Sequence, residues 1–483
     1  MQLSAVQRVL GLLLMIFSLS MLPPALVGWH YGDGEVMPFL QGFFWLFSIG
    51  VLIFWPVRHF KKDLKLRDGF LIVVMFWTVL GLSGAVPFFF ADNPDMSITD
   101  AVFEAVSGLT TTGATVLTGI DTLPHSIRFY RQELQWLGGM GIVVLAVAIL
   151  PLLGVGGMQL FKAETPGPMK DNKLTARIAD TAKTLWFIYV GLTVTAAIAF
   201  RLGGMNWFDA IGHAFSTVSI GGFSTHDAGF GFYNSAWLEA MATVFMFLAG
   251  INFTLHFLAW NRRALHSYWN DSEFRLYFYI LASMILLYTL LLWEHQTYTG
   301  FWDALRYASF NVMSYATTTG FATADITAWP LFLPVLLMFL AMIGGSTGSA
   351  AGGMKVMRVM LIAKQSYREL KQLLHPQAEL PVKLNSQVIP TRVIQSVWGF
   401  FSAYVMIVVF LMMFMQAVGL DEVSAFGATV ATLTNLGPGL GEVSSTFASA
   451  PDAAKWVGCF AMILGRLEIF TLLVLFTPAF WRR

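Results

Sequence analysis

Ten stretches of this sequence are apolar over roughly the 20 residues that a helix needs to cross a bilayer: 9–29, 38–56, 69–90, 135–160, 184–202, 236–260, 275–293, 331–362, 396–419 and 454–480. Only 12% of the 483 residues are charged, against about 25% in soluble domains, so there is too little polar material to cover a water-facing surface. Lipid is therefore the expected solvent. The fold class that follows is an all-α polytopic membrane protein with ten transmembrane helices. The first run, Val9 to Trp29, exceeds the 7–15 residues of a signal-peptide core and is kept as a span. The lone Cys459 excludes an intrachain disulfide and reads as a small buried residue. A net charge of +1 excludes a broad basic surface for nucleic acid.

The loops alternate in charge. Twenty-three of the 29 Lys and Arg residues fall at the termini or in four segments. Those segments carry Arg58 to Arg67, Lys162 to Lys183, Arg262 to Arg275, and residues 355–392. The intervening loops hold acids such as Asp33, Asp92, Asp121, Asp227 and Asp325. The positive-inside rule puts both termini and the basic segments in the cytoplasm, which ten crossings satisfy. No cytoplasmic segment is long enough for a nucleotide-hydrolysing domain. Nucleotide regulation would need a separate chain.

The acidic loops share one pattern. Asp100 to Thr115 aligns without gaps on Asp209 to Ser224, matching Ser107 with Ser216 and Gly113 with Gly222. Phe310 to Thr323 and Ala425 to Gly439 repeat it around Gly320 and Gly437. The four glycines are spaced by 109, 98 and 117 residues, a large internal repeat. Each unit is a long span, a short apolar helix of about 12 residues, a Thr/Gly turn and another long span. The short helix cannot cross the bilayer, and re-entrant backbone is tolerated only where it lines a cavity or is buried in protein. Its C-terminal end carries partial negative charge. Glycine suits a turn in which successive carbonyls point one way. Four such turns around one axis would replace a cation's water shell with carbonyl oxygens. The absence of fixed charge favours a large monovalent cation over a divalent one. The expected layout is two extra N-terminal helices (1–62) and four helix–pore-helix–helix repeats in pseudo-fourfold arrangement around one pore. Those repeats cover 63–165, 166–265, 266–375 and 376–483.

With these motifs, with Gln135-Trp-Leu-Gly-Gly-Met-Gly141 and with Gly465-Arg-Leu-Glu468, the whole chain resembles the Trk/Ktr/HKT superfamily of K⁺ transport proteins. The resemblance implies an inner-membrane homodimer with one pore per subunit. It also implies a cytoplasmic nucleotide-binding partner of the TrkA kind. K⁺ is the implied cargo, with no cofactor bound by this chain. The backbone ligands carried over are Thr111, Thr112 and Gly113; Ile220, Gly221 and Gly222; Thr318, Thr319 and Gly320; and Asn435, Leu436 and Gly437. Proton- or sodium-coupled symport, or a less selective K⁺/Na⁺ channel, stays open as an alternative.

Two further features point to a gate. The eighth span is interrupted by Gly344, Gly345, Gly348, Gly352 and Gly353. Each glycine costs a helix about 1 kcal/mol relative to alanine, so five together break it inside the membrane. Arg466 sits within the last span, where a charge is expensive and functional by default. The resemblance places it below the filter, beside the broken span. Glu104 and His213 occupy equivalent positions on the first two short helices and read as a polar outer vestibule. An organic-solute transporter would show inverted repeats with broken helices, but every turn here lies on the acidic side. No HExxH or GxSxG motif supports an enzyme.

Overall fold

The computed structural model describes residues 2–60, 66–148, 178–385 and 387–482. The basic residues Lys61, Lys62, Lys65, Lys162, Lys170, Lys173, Arg177 and Arg483, and the part 149–160 of the fourth expected span, lie outside the described residues. The chain is an all-α, multi-pass membrane protein. Among the described residues the only strands are Lys383–Leu384 and Gln387–Val388, paired antiparallel.

Six helical runs have the length and apolarity of a crossing: Leu3–Tyr31, Val36–Val57, Arg67–Phe90, Lys183–Leu202, Ser272–Glu294 and Thr391–Ala417. Two further candidates are bent pairs. Ala236–Ala249 turns by 91° into Phe253–Asn261, and Asp452–Arg466 turns by 103° into Phe470–Phe476. The sequence had read both as continuous. The other two expected crossings are also interrupted. His125–Ala148 has non-helical backbone at Gly141. Leu333–Ile343 stops at Gly344, and helix resumes only at Val356–Leu374.

The outer helices are dressed for lipid. Thr391–Ala417 leaves Met406, Val409, Phe410, Met413 and Phe414 more than half exposed, a face that water would not tolerate. Exposed Trp29, Trp55, Trp260, Trp293 and Trp302 lie towards helix ends, where an indole suits the headgroup boundary. The two N-terminal runs form a hairpin that closes on small residues. A Cβ on Gly11 would lie 2.8 Å from the carbonyl oxygen of Gly50, so the backbones meet directly.

The four short helices are the inverse case, with their C-terminal halves enclosed by protein. They are Ile98–Leu109, Trp207–Val218, Phe301–Ala316 and Glu422–Leu433. Three have 12 residues and the third has 16, a turn longer than expected. Side-chain oxygens of Ser97, Asn206 and Asp421 cap three of their N-termini by accepting from Asp100, Asp209 and Ser424 N–H groups. Each short helix also packs on the second long helix of the preceding repeat. Trp207–Val218 meets His125–Ala148, Phe301–Ala316 meets Ala236–Ala249, Glu422–Leu433 meets Leu333–Ile343, and Ile98–Leu109 meets Asp452–Arg466.

Candidate functional site

All four short helices end in the same turn. The N–H of Thr112 donates to Ser107 O (2.9 Å), Gly221 to Ser216 O (2.8 Å), Thr319 to Ser314 O (2.7 Å) and Leu436 to Ala431 O (2.9 Å). Thr111, Ile220, Thr318 and Asn435 donate one step earlier, to the carbonyls of Gly108, Thr217, Tyr315 and Thr432. This pair of bonds is the Schellman helix stop, which places its penultimate residue in the left-handed region. Here that residue is never glycine. Thr111, Ile220, Thr318 and Asn435 have φ of 55°, 56°, 61° and 56°. The left-handed region costs a side-chain-bearing residue about 1–2 kcal/mol. Strain repeated at one position of four repeats marks a functional backbone.

The glycines two residues on are also left-handed, with φ of 81°, 83°, 84° and 100° at Gly113, Gly222, Gly320 and Gly437. What surrounds them explains the residue type. A Cβ on Gly113 would overlap the carbonyl oxygen of Gly221, one on Gly222 that of Thr319, and one on Gly320 that of Leu436. A Cβ on Gly437 would lie 2.6 Å from Thr112 O, which closes the cycle back on the first repeat. The carbonyls of Thr112, Gly221, Thr319 and Leu436 thus occupy equivalent places, each against the next strand's glycine. Asn435 adds a side-chain link between the fourth and first strands, donating to Thr112 Oγ1 (3.0 Å) and to Met462 O (2.9 Å). A layer of uncharged carbonyl oxygens can replace the hydration shell of a monovalent cation.

Segment 344–355 is non-helical and lies against these strands. Gly352 N–H donates to Thr318 Oγ1 (2.7 Å), and a Cβ on Gly352 would overlap Thr434 O. Gly344, Gly348 and Gly353 are left-handed, at 73°, 76° and 73°. Gly345 serves close packing instead, its Cβ position lying 2.7 Å from the Ala351 methyl. Ser346 N–H donates to Gly250 O (2.9 Å) and Phe253 N–H to Gly348 O (3.1 Å), which ties the segment to the break in Ala236–Asn261. Thr347 N–H donates to Glu273 Oε1 (2.6 Å). Arg466 donates to Ala350 O (3.1 Å) in this segment and to Gly138 O (2.7 Å) in the first repeat. Its guanidinium lies 5.2 Å from the Trp77 ring centroid. Just beyond Arg466 the chain turns at left-handed Glu468 and Ile469, and Glu468 pairs with Arg358.

Glu104 and His213 do not form an outer vestibule. Both are fully buried. Glu104 pairs with Arg131 Nε (2.7 Å) and accepts from Val116 N–H (3.0 Å). His213 contacts Asp209 O (2.8 Å) and Ser224 Oγ (2.9 Å). They brace the strands through Thr115, Val116 and Ser224. A lone carboxylate on an apolar helix looks water-facing until its cation, 27 residues away in sequence, is placed beside it. The titratable cluster outside the spans is His226, held between Asp121 and Asp209 (Nε2 to Oδ2, 3.3 Å). Burial works against charge on His226, but the two carboxylates outweigh it and raise its pKa. Asp121 is lowered: burial opposes this, and hydrogen bonds from His226 and Asp227 prevail.

A family model described as a cation transport protein, TrkH, matches residues 35–483. The chain belongs to the TrkH family. It is 54% identical, over the full length of both chains, to the Trk system potassium uptake protein TrkH of Vibrio parahaemolyticus and to that of Escherichia coli K12. It is 39% identical to the E. coli Trk system potassium uptake protein TrkG, over 99% of this chain and 98% of that one. Its fold matches the crystal structure of the potassium transporter TrkH from V. parahaemolyticus with a TM-score of 0.91, at 52% identity and complete coverage of both chains. TrkH-family membership makes the chain a transport protein rather than an enzyme.

Proposed function

We propose that this chain takes up K⁺ across the bacterial inner membrane through a selectivity filter of backbone carbonyls. The observation that carries the reading is the closed cycle of glycine-to-carbonyl approaches, from Gly113 through Gly222 and Gly320 to Gly437 and back to Thr112. On this reading the chain has ten spans and four repeats in pseudo-fourfold arrangement around one pore, with two extra helices at the N-terminus. The ligands are the carbonyls of the residues before the four glycines. Four helix C-termini add negative potential towards the ion, and no side-chain charge sits on the strands to favour a divalent competitor.

Segment 344–355 is the gate and Arg466 is its latch. The segment lies against Thr318 and Thr434, and Arg466 spans from its Ala350 carbonyl to Gly138. A TrkA-like nucleotide-binding partner docks on the basic cytoplasmic segments 162–183 and 355–392, and two copies of the chain associate. The potassium uptake proteins named above support the cargo. The test is reversal-potential measurement on purified protein in bilayers under separate K⁺, Na⁺ and pH gradients. A reversal potential that follows K⁺ and ignores pH is the expected result. One that tracks the proton gradient would replace the pore with coupled transport.

A further inference from the structure

The four ring carbonyls occupy equivalent positions, but their surroundings differ. One face of His125–Ala148 runs alongside the second repeat's strand and meets it carbonyl by carbonyl. Gln135 Nε2 donates to Gly221 O (2.5 Å), Gln132 Nε2 to Phe223 O (3.3 Å), Arg131 Nη1 to Ser224 O (3.2 Å) and Arg128 Nη1 to Thr225 O (3.5 Å). The donors stand at i, i+3, i+4 and i+7, the spacing of one helix face. Of these four, only Gln135 reaches a ring carbonyl. Among the described residues, no hydrogen-bond donor reaches the ring carbonyls of Thr112, Thr319 or Leu436.

The orientation of the Gln135 amide is fixed by its other end. Phe223 N–H can only donate, and it donates to Gln135 Oε1 (3.0 Å), so Nε2 faces Gly221 O. The amide therefore clamps the backbone on both sides of Gly222. Room for the clamp comes from the sequence. The ring residues are Thr112, Gly221, Thr319 and Leu436, and a Cβ on Gly221 would overlap the Gln135 side chain. Gly221 lacks a side chain where Gln135 enters.

We propose that Gln135 is a specificity-determining positioning residue: its amide fixes the Gly221 carbonyl and makes the second repeat an inequivalent ligand. The inference rests on the carbonyl-filter reading and deepens it. A carbonyl oxygen tied to a side-chain donor resists moving inward to follow a smaller ion. Gly113 sits against that same oxygen, so holding Gly221 also limits the first strand. Na⁺ needs a contracted ring and K⁺ does not, so the clamp penalises Na⁺.

The test uses the full-length protein, purified and placed in bilayers, with bi-ionic K⁺/Na⁺ reversal potentials as the readout. Gln135→Leu removes donor and acceptor. Gln135→Glu keeps the volume and the acceptor for Phe223 N–H, but as a carboxylate it cannot donate to Gly221 O. Both are expected to lower the K⁺/Na⁺ permeability ratio about tenfold, the worth of one buried hydrogen bond. A protonated carboxyl restores the donor–acceptor pair of the amide. The ratio in Gln135→Glu is therefore expected to recover as pH is lowered, while the wild type stays flat. Gly320→Ser, in another repeat, reports on the filter reading itself. Wild-type ratios in both Gln135 variants beside a lowered ratio in Gly320→Ser would overturn the clamp and leave the filter standing. Wild-type ratios in all three would overturn both. A lowered but pH-independent ratio in Gln135→Glu would reduce Gln135 to packing and sink the proposal. Where the leucine variant does not fold, the glutamate variant alone decides.

Discussion

Replacing Gly222 with alanine puts the carbonyl ring to a direct test. The new methyl would overlap Thr319 O, and the residue would sit at φ +83°. The left-handed backbone costs about 1–2 kcal/mol for alanine. The overlap is with backbone, so it is relieved only by moving the third strand, an overpacking cost of about 1–3 kcal/mol. The combined burden of about 2–5 kcal/mol falls on the neighbouring repeat's ligand rather than on the mutated strand alone. If about 1.4 kcal/mol of it separates K⁺ from Na⁺, the permeability ratio falls tenfold. Gly119→Ala is the matched control. Gly119 has φ +69°, but its nearest neighbour to a new Cβ is Thr122 Oγ1 at an ordinary 3.6 Å. It therefore carries the backbone cost without displacing a ring carbonyl. Thermal unfolding in detergent is expected to fall in both variants, and bi-ionic reversal potentials to change only in Gly222→Ala. Equal selectivity in the two variants would refute the ring.

Four further outcomes are expected. Thr318→Val keeps the β-branched shape and removes the acceptor of Gly352 N–H, so a loosened segment 344–355 should raise basal Rb⁺ flux several-fold at unchanged selectivity; wild-type flux would detach the segment from gating. Arg466→Ala loses donors to Ala350 and Gly138, and liposome flux should rise without the partner present; altered selectivity instead would move Arg466 into the filter. The stability that charged His226 draws from Asp121 and Asp209 is complete below its ordinary pKa of about 6.5 and is lost as pH rises through its raised value. The melting temperature should accordingly drop as pH rises above about 6.5 more in the wild type than in His226→Gln, and parallel curves would exclude the pair. Neutralising Lys364, Arg368 and Lys371 together should weaken pull-down of a nucleotide-binding partner; undiminished capture would move the docking surface elsewhere.

The repeated turn, its left-handed glycines and most of the long apolar helices were legible because each has a local cause. Twenty apolar residues need lipid, and Gly320 recurs where a side chain has no room. The left-handed Thr111, Ile220 and Thr318 were not legible, because no propensity favours a β-branched residue there. Their conformation is imposed by the Schellman bonds and by the packing of four turns around one another. The breaks at 250–252 and 467–469 were hidden for a similar reason. The first has one glycine and the second none, so neither matches the five-glycine signal of 344–353. Asn252 supplies the first break with an N-cap, its side chain accepting from Thr254 N–H (2.9 Å), and segment 344–355 bonds to both sides of it. Glu468 turns the second with Arg358 as its partner. Long-range bonds, not local sequence, set these two.

The break at 344–355 lies beside the ring carbonyls and against the break at 250–252. Non-helical backbone occurs in the second long helix of all four repeats: at Gly141, at 250–252, at 344–355 and at 467–469. A single interrupted helix would leave its freed amides and carbonyls without partners in lipid. Here the interruptions serve one another. Gly250 O accepts from Ser346, Gly348 O accepts from Phe253, and Ala350 O and Gly138 O accept from Arg466. Segment 344–355 therefore cannot move alone. Displacing it exposes the break in the second repeat and frees Arg466 from the third, while Gly352 leaves Thr318 beside the ring. Such a layer favours two discrete arrangements over gradual yielding, because partial movement leaves several buried polar groups unpaired at once. The same bonds that satisfy the broken backbone would make any movement of segment 344–355 cooperative.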